Sequence, residues 1–329
     1  MNAVLSTRRV ISAAVAASLA AGLAVATGGV ASAAIAVNCP TDNLQTAITT
    51  APSGSTLNVT GTCTGNFTVP NGKTLTLRGP ATLDGAGTGR VLYVGPSANV
   101  TLISLTVQNG HAASNGGGIL AELASLTLQT VTVQNNISDD TGGGVAAHDG
   151  TLKVKSSTIT GNSALKVGGL TVYGAEIGDV TGSTISQNHT PRFGGGFESE
   201  TGATLSVSTS TISQNTAGSD GGAFFIPNST HSLTISGSQI LGNTATNGNG
   251  GGVLNEAPSA TISGSVLNGN TAPHGSGGGV DNQAGNMALK GDSITSNAAN
   301  NGGGVFNTGT VNTAGSSITN NSPNDCVGC

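Results

Sequence analysis

Five polar residues recur at related positions in four successive repeats of the sequence and are suited to acid–base or sugar-binding chemistry. They form the candidate patch Glu122, His148, Tyr173, Glu198 and Glu200. Glutamate and histidine side chains can hold or transfer protons near neutral pH, and a tyrosine offers a sugar both an apolar ring and a hydroxyl. Because isolated polar residues are also ordinary on exposed strands, the alternative interpretation is a plain solvated surface.

Other residue sets that could carry chemistry are incomplete. Asp139-Asp140 is one adjacent acidic pair, of a kind that is common in solvated turns. The remaining histidines are expected in turns or loops at no metal-ligand spacing, and they are His111, His189, His231 and His274. The residues alone therefore assign no catalytic group and no metal site, and we expect no cofactor.

Two recurring motifs position the candidate patch. A Gly-rich step followed by an apolar residue occurs eight times at intervals of 25–29 residues, the apolar residues being Ile119, Val145, Leu170, Phe197, Phe224, Val253, Val280 and Val305. Between these steps runs an apolar-x-x-Asn motif, whose asparagines are Asn136, Asn162, Asn188, Asn215, Asn243, Asn270, Asn297 and Asn321. Two motifs that keep one period predict stacked structural units.

Each repeat contains three short segments in which apolar and polar residues alternate, exemplified by 195–200, 205–207 and 211–215. Such alternation between Gly, Asn and Ser indicates strands, and strands this short cannot bury a face alone. Stacking each strand on its equivalent one repeat later predicts three parallel sheets around a narrow core. The fold class is therefore an all-β parallel β-helix, a solenoid of about ten coils. No helix-period segment lies inside the repeats, which argues against helical or leucine-rich repeats.

Strand alternation also predicts the direction of the candidate patch. If the apolar residue of each Gly-rich step points into the core, the residues one and three places later point outward. The candidate patch then forms a line across four coils, with Glu198 beside Glu200. A second outward array contains Thr and Ser, such as Thr158 and Thr160, and could order water as ice-binding surfaces do.

The recurrent asparagines are expected to be structural. Stacked one above another, their amides can hydrogen-bond to the next coil and form an internal ladder. Asn also tolerates the left-handed backbone that a tight corner requires. A second, shorter inward row is expected at Asn255, Asn282 and Asn307.

The chain divides into a signal peptide over 1–33, an N-terminal cap with irregular early coils over 34–115, and regular β-helix repeats over 116–329. The cap begins at 44–48, where the spacing of apolar residues predicts a short helix over the open end of the core. Thr41-Asp42 is its expected N-cap.

Several features predict export. Arg8 and Arg9 precede an Ala-rich apolar stretch and a small-x-small cleavage site that ends at Ala33, and a retained membrane anchor is the alternative. The export route, general or twin-Arg, stays open. Two local cysteine pairs are expected to be disulfides that staple the chain ends, and they are Cys39, Cys63, Cys326 and Cys329. For the last two, a redox or zinc site is the alternative. We predict a secreted, extracellular protein, either released or associated with the cell wall.

Composition argues against several classes of partner. Only 8% of the residues are charged and 2% are aromatic, and 15 acidic residues stand against 10 basic ones. Nucleic acid is therefore not an expected partner. No stretch after the signal peptide is long and apolar enough to span a bilayer, so the mature form is not expected in a membrane. Polar sheet faces and capped ends predict a monomer, because open strand edges drive end-to-end stacking.

The mature sequence resembles right-handed parallel β-helix proteins of the pectate-lyase-like superfamily. Segments 44–48 and 52–57 are similar to the superfamily's entry helix and first strand. The repeats resemble polymorphic outer-membrane-protein repeats, since 221–224 reads Gly-Gly-Ala-Phe and 185–188 matches a Phe-x-x-Asn motif with Ile for Phe. The ending over 321–326 is similar to the closing segment of secreted actinobacterial members.

The resemblance implies a protein that acts on or binds polysaccharide. Of the polygalacturonase-like motifs, the chain has Asp139-Asp140 and a partial match at Asn109-Gly110-His111, without Gly-His-Gly or Arg-x-Lys. Our leading hypothesis is a non-catalytic surface or adhesion-type protein that binds glycan or cell wall. The alternative is a lyase or glycoside hydrolase for an acidic polysaccharide that uses the candidate patch, with Ca²⁺ needed only by a lyase. Ice or surface binding through the Thr array is a third hypothesis.

Overall fold

The repeats fold as a solenoid of parallel strands. A computed structural model describes residues 34–174 and 177–329, and the predicted signal peptide over 1–33 lies outside the described residues. Eleven strands stack in the first sheet of this part of the chain, which corresponds to about eleven turns. The prediction of an all-β solenoid with three parallel sheets is confirmed, with one turn more than the sequence suggested.

The first sheet receives one strand from each turn, and in eight of these turns the strand directly follows a Gly-rich step. Its members are β3 (Phe67–Val69), β5 (Leu92–Val94), β8 (Ile119–Glu122), β12 (Val145–His148), β16 (Leu170–Tyr173), β20 (Phe197–Glu200), β24 (Phe224–Ile226), β28 (Val253–Asn255), β32 (Val280–Asn282), β36 (Val305–Asn307) and β39 (Cys326–Val327). Val145 pairs with Leu170, and Leu170 pairs with Phe197. Equivalent side chains of successive repeats therefore lie one above another.

The second sheet combines the other two predicted segments of each repeat. Its twenty members are β1 (Ile35–Asn38), β2 (Ser55–Thr64), β4 (Thr74–Asp84), β6 (Asn99–Gln108), β9 (Ser125–Gln129), β10 (Thr132–Gln134), β13 (Thr151–Lys155), β14 (Thr158–Thr160), β17 (Ile177–Thr181), β18 (Thr184–Ser186), β21 (Thr204–Ser208), β22 (Thr211–Ser213), β25 (Ser232–Ser236), β26 (Gln239–Leu241), β29 (Ser259–Ser263), β30 (Val266–Asn268), β33 (Asn286–Lys290), β34 (Ser293–Thr295), β37 (Thr310–Asn312) and β38 (Ser317–Thr319). In the early coils, one long strand such as β6 runs through both segments. Its first part pairs with β9 and its last part pairs with β10 of the next coil. Both segments of each repeat therefore belong to one sheet rather than to two.

The third sheet consists mostly of two-residue strands that follow the recurrent asparagine. Its members are β7 (His111–Ala112), β11 (Ile137–Ser138), β15 (Ser163–Ala164), β19 (His189–Thr190), β23 (Thr216–Ala217), β27 (Thr244–Ala245), β31 (Thr271–Ser276) and β35 (Ala298–Asn301). The sequence did not predict these strands, because two residues are too few to show alternation.

Apolar side chains fill the interior along the whole solenoid. The Ile residues before the recurrent asparagines inside the solenoid are fully buried, as at Ile159, Ile185 and Ile212, whereas Ile318 in the last coil is partly buried. In the first sheet, the buried rings of Phe197 and Phe224 stack with centroids 4.8 Å apart. Each fully buried Val, Leu, Ile or Phe stabilises the folded state by about 1.5–3 kcal/mol. The stability of the solenoid is therefore distributed over its turns.

An asparagine ladder follows one corner of the solenoid. The Nδ2 atom of Asn188 donates to Oδ1 of Asn215 at 3.0 Å, and the Asn188 backbone N–H donates to the same oxygen at 3.1 Å. The second Nδ2 hydrogen goes to the carbonyl of Ile159. This pattern repeats through all eight motif asparagines to Asn321, which donates to the Asp325 carboxylate. Each interior amide thus uses its hydrogen-bonding capacity within the protein.

Two further polar rows support the turns. Asn255 donates to Asn282 at 2.8 Å and Asn282 donates to Asn307 at 2.7 Å. A serine row, which the sequence did not reveal, follows the link between the two strands of the second sheet. In this row, the serine hydroxyl of one turn accepts a hydrogen bond from the backbone N–H at the equivalent position of the preceding turn. The accepting residues are Ser157, Ser183, Ser210, Ser238 and Ser265. The row continues to the Asp292 carboxylate.

A helix covers the N-terminal end of the core. It is α1 (Leu44–Thr50), whose buried residues are Leu44 and Ile48. Its N-cap is Asn43, which accepts from the backbone N–H of Thr46 at 2.8 Å. The expected N-cap at Thr41-Asp42 is therefore wrong, because the Asp42 carboxylate accepts from the Asn38 backbone N–H instead.

Disulfides tie both ends, as the sequence predicts. The Cys39–Cys63 disulfide spans a sequence separation of 24 residues. It joins the turn after β1 to strand β2 in the second sheet. Cys326 and Cys329 close a short ring at the other end. There β39 pairs with β36 and is itself the last strand of the first sheet, whereas β37 and β38 are the last strands of the second sheet.

Candidate functional site

Parallel pairing of four strands places four members of the candidate patch in one row. The register aligns Glu122 with His148, His148 with Tyr173, and Tyr173 with Glu200. These residues end β8, β12, β16 and β20, and neighbouring strands lie about 4.8 Å apart. Glu198 lies two residues before Glu200 on the same strand and therefore faces the same side of the sheet.

The turns that precede these strands fold back over the outer face of the sheet. A Cβ atom on Gly194 would lie only 3.4 Å from the Cβ of Glu198, and one on Gly142 would lie 3.0 Å from the Cβ of Ala146. Turns and strands together enclose a cavity of about 180 Å³, which we call the cleft. Its lining residues are Asn115, Asp140, Thr141, His148, Lys166, Thr171, Tyr173, Glu198 and Glu200.

Glu198 is the buried acid of the cleft. The expectation that it lies on an exposed face is wrong, since only 3% of the residue is exposed, because the turn at Gly194 covers it. Burial raises the pKa of Glu198 to about 9; a hydrogen bond to Glu200 and the charge of Glu200 act in the same direction, and Lys166 opposes them. Glu198 therefore holds a proton at neutral pH.

His148 and Tyr173 form the middle of the cleft. Their rings lie 5.5 Å apart and are tilted by 45°. Burial lowers the pKa of His148, although the charges of Glu122 and Asp149 act against the shift. The imidazole is therefore neutral at pH 7 and can accept or donate one hydrogen bond at each nitrogen. Tyr173 is 40% exposed and presents its ring at the mouth of the cleft.

Three buried polar atoms of the cleft have no hydrogen-bond partner among the described residues. They are Oδ1 of Asn115, Oγ1 of Thr141 and Nε2 of His148. A buried polar atom without a partner costs about 1–3 kcal/mol, so such atoms are rare in folded proteins. The three residues that carry these atoms line one cavity, which makes it a candidate place for the groups of a polar ligand to complete the hydrogen bonding.

A charged pair borders the cleft on the side of the turns. Nζ of Lys166 lies 2.9 Å from Oδ1 of Asp140, and this contact raises the pKa of Lys166. The sequence did not assign Asn115, Asp140, Thr141 or Lys166 to the site. A signal was present, since each lies one or two residues before a Gly-Gly step and thus in the turn that covers the sheet.

Glu122 belongs to a neighbouring cluster rather than to the cleft. Its Oε2 atom accepts a hydrogen bond from the Tyr93 hydroxyl at 2.6 Å. Arg90 lies over the Tyr93 ring, 5.8 Å from its centroid, and donates to the carbonyls of Asn115 and Gly116. This cluster holds the turn that carries Asn115 and so supports one wall of the cleft.

Asp281 is a second buried acid on the outer face of the first sheet. Asp281 comes directly after Val280, the apolar residue of its Gly-rich step. Glu198 occupies the same position after Phe197, three turns nearer the N-terminus. Asp281 is fully buried, and both carboxylate oxygens are without a hydrogen-bond partner in the described part of the chain. Burial raises the pKa of Asp281 to about 7. Its neighbours Leu254 and Phe306 are apolar.

The cleft can bind a polar molecule and hold a proton at a defined atom. Glycosidases separate their two carboxyl groups by about 5–10 Å. Glu198 and Glu200 lie on the same side of one strand, and Glu200 helps to raise the pKa of Glu198, whereas the two carboxyl groups of a glycosidase flank the scissile bond. Among the described residues, no group of three or more His, Cys, Asp or Glu side chains is arranged to hold a metal ion.

The Thr and Ser array, the other surface that the sequence singled out, is less regular than an ice-binding surface would need. In the Thr and Ser array of the second sheet, the hydroxyls of Thr160 and Ser186 hydrogen-bond to each other at 3.1 Å. Gln239 and Leu241 of β26 interrupt this array. Within residues 34–174 and 177–329, no helix is both long and apolar enough to cross a bilayer.

Comparison with known proteins identifies the architecture. A family model described as "Right handed beta helix region" matches residues 90–266, more than half of the chain. Among solved structures, the chain is similar to pectate lyase Pel9A, with 14% identity, a TM-score of 0.39 and coverage of 84% of this chain and 73% of that one. It is also similar to the A-module of Azotobacter vinelandii mannuronan C-5 epimerase AlgE6, with 14% identity, a TM-score of 0.33 and 82% coverage of each chain. No curated protein sequence gives a significant match.

Proposed function

The chain belongs to the right-handed β-helix family, and from this premise we propose that it is an exported, non-catalytic protein that binds a glycan in the cleft. The observation that carries the proposal is the set of three unpartnered buried atoms on Asn115, Thr141 and His148. The residues that carry them line the same cavity as Tyr173. Aromatic rings with a few convergent polar groups are typical of binding sites for small polar molecules.

The dimensions of the cleft favour one sugar unit of a longer chain. Its volume of about 180 Å³ is below the 300–1,000 Å³ that is usual for pockets that enclose a whole ligand. A polymer could place one unit in the cleft and continue along the surface, because the first sheet extends beyond it in both directions. A glycan of the cell wall is our proposed partner.

Two disulfides support the proposal of an extracellular location, because disulfides persist in oxidising compartments. The predicted signal peptide over 1–33 supplies the export step. A monomer remains our proposal for the oligomeric state.

A catalytic function is the second candidate, and one observation favours it. Burial raises the pKa of Glu198 to about 9, so that it holds a proton at neutral pH, and a buried carboxylic acid with a raised pKa is a common general acid. The position of Glu198 and Glu200 on one side of the same strand speaks against a two-carboxylate glycosidase, whose carboxyl groups flank the scissile bond. A lyase for acidic polysaccharide would need a base and cationic groups, whereas Lys166 is paired with Asp140.

Binding and turnover can be separated in one experiment. The purified protein is incubated with insoluble cell-wall glycans and with soluble acidic, neutral and amino oligosaccharides. Co-sedimentation and calorimetry report binding, while reducing ends and the absorbance of unsaturated uronate report cleavage. We expect binding without product.

Matched variants locate the binding site. Tyr173→Ala should reduce affinity at least tenfold, since it removes the ring at the mouth of the cleft. Glu256→Gln is the control, because Glu256 occupies the position equivalent to Glu200 two turns later and does not line the cleft. Product formation that Glu198→Gln abolishes would establish the catalytic alternative. Binding that is equal in Tyr173→Ala and wild type would contradict a site in the cleft.

A further inference from the structure

We propose that the sugar unit in the cleft carries a free, protonated amino group, so that the ligand is a de-N-acetylated hexosamine glycan rather than a polyuronate. This inference rests on the proposed glycan-binding function and adds the chemical class of the ligand. It follows from the hydrogen-bonding capacity and from the charge of the groups that line the cleft.

Hydrogen-bond acceptors dominate the cleft. The free atom of Asn115 is a carbonyl oxygen, which can only accept, and the free atoms of Thr141 and His148 can accept as well. An ammonium group has three N–H donors and no acceptor. It therefore matches these three atoms better than a carboxylate, which has only acceptors.

The charges of the cleft-lining residues also favour an ammonium group over a carboxylate. Asp140 and Glu200 are acidic, and Lys166 is the one cleft-lining residue that is basic at neutral pH. Lys166 forms an ion pair with Asp140 at 2.9 Å; its charge also acts on Glu200, but Glu200 forms no ion pair with any residue that the structure describes. A uronate carboxylate would meet like charge there, whereas an ammonium ion would supply the missing opposite charge.

The nearest other cation does not provide a uronate site. Arg90 is half-buried, and its guanidinium donates to the carbonyls of Asn115 and Gly116 and to the hydroxyl of Ser114. It thereby fixes the turn on the outer side of the cleft wall. Arg90 is not among the residues that line the cavity.

Proton release is a signature of this binding mode. The ionisable groups that face Glu198 are Glu200, Lys166, Asp140 and His148. A ligand ammonium adds a positive charge beside Glu198 and so favours its ionised form. Burial keeps Glu198 protonated in the free protein, hence binding of an amino sugar should release a proton to solvent near pH 7.

Calorimetry with three disaccharide probes tests the proposal. The probes are glucosamine disaccharide, its fully N-acetylated form, and a galacturonate disaccharide, each titrated at pH 7 in two buffers of different ionisation enthalpy. We expect the glucosamine disaccharide to bind at least tenfold more tightly than the other two. Its apparent enthalpy should change between the buffers, which reports the released proton. Glu200→Gln should weaken this binding at least tenfold, while Glu256→Gln should leave it unchanged.

The outcomes separate this proposal from the one on which it rests. Stronger binding of the galacturonate or of the acetylated probe, lost in Tyr173→Ala, would overturn the amino-sugar assignment and keep the glycan site. Equal binding of the glucosamine probe by wild type and Glu200→Gln would mean attraction to the acidic surface as a whole and would also overturn it. Absence of binding by every glycan in the panel would overturn both proposals.

Discussion

At the scale of single residues, Glu198 makes the stability of the protein depend on pH. Its folded-state pKa of about 9 lies above the ordinary value of 4.5, so the folded state keeps a proton that the unfolded state loses. This contribution to stability is full below pH 4.5 and is lost as pH rises towards 9. Between pH 7 and pH 9, we expect the melting temperature of wild type to fall and that of Glu198→Gln to change much less.

Asp281→Asn is the matched control for this measurement. Burial raises the pKa of Asp281 only to about 7, from 3.8, so its contribution is lost between those two values. This variant should therefore have a flatter stability profile below pH 7 and the wild-type slope above it. A Glu198→Gln variant whose melting temperature falls as steeply as that of wild type above pH 7 would contradict the burial of a protonated acid.

The sequence could predict only those features of the cleft that follow from strand alternation and from the repeat spacing. The spacing of the repeats correctly aligns His148, Tyr173 and Glu200, because the register follows from the repeat itself. It could not show that Glu198 is buried or that Lys166 faces it, since a turn of irregular backbone brings those residues together. Alternation predicts which side of a strand a residue occupies and says nothing of what covers that side.

At the scale of the elements, the asparagine ladder should be sensitive to loss of one rung. In Asn215→Ala, two donors of Asn188 lose their acceptor, and the carbonyl of Ile185 and Oδ1 of Asn243 each lose a donor. Buried groups left without partners cost about 1–3 kcal/mol each. We expect the free energy of unfolding to fall by about 3 kcal/mol or more in chemical denaturation.

Ser213→Ala is the control for the ladder. Ser213 lies two residues before Asn215 and is half-buried on the outer side of β22, so its loss should change the free energy of unfolding by less than about 1 kcal/mol. Equal effects of the two substitutions would mean that the ladder amides contribute no more than an ordinary polar side chain.

The glycines in the middle of the Gly-rich steps, such as Gly143, should be sensitive to volume rather than to backbone conformation, because they do not have a positive φ. A Cβ atom on Gly143 would clash with the carbonyl oxygens of Ser163 and Gly168 in the adjoining turn. Gly291 has a φ of 67° but open space around its Cβ position. We expect Gly291→Ala to cost about 1–2 kcal/mol through the left-handed backbone alone. Gly143→Ala should cost more, because adjacent coils must separate, and thermal melts of both variants measure the difference.

Strand elements could be predicted where alternation was long enough to detect. The segment at 205–207 corresponds to β21 and the segment at 211–215 to β22. Their union in one sheet could not be predicted, because it depends on long strands such as β4 in the early coils. The serine row was also missed, since a serine beside a strand end is too common a residue to mark a position.

At the scale of the whole molecule, the two disulfides should contribute unequally. The Cys39–Cys63 bond closes a loop with a sequence separation of 24 residues, and the loss of chain entropy in the unfolded state predicts about 3 kcal/mol for it. The Cys326–Cys329 bond closes a separation of 3, which predicts a smaller effect. We expect a double Cys39→Ser, Cys63→Ser variant to melt at a lower temperature than a Cys326→Ser, Cys329→Ser variant.

The asparagine ladder has one further consequence, which concerns its direction. In every side-chain amide, from Asn136 to Asn321, the oxygen lies on the N-terminal side and one N–H points towards the C-terminal end, while the other N–H donates to a carbonyl of the preceding coil. Aligned amides add their dipoles, and the positive end of the sum lies at Asn321, where the Asp325 carboxylate accepts from both its backbone and side-chain N–H. A whole coil can therefore be inserted or removed in the middle without reversing any bond. The last coil, in contrast, differs from the others, since its asparagine donates to the Asp325 carboxylate instead of to another asparagine.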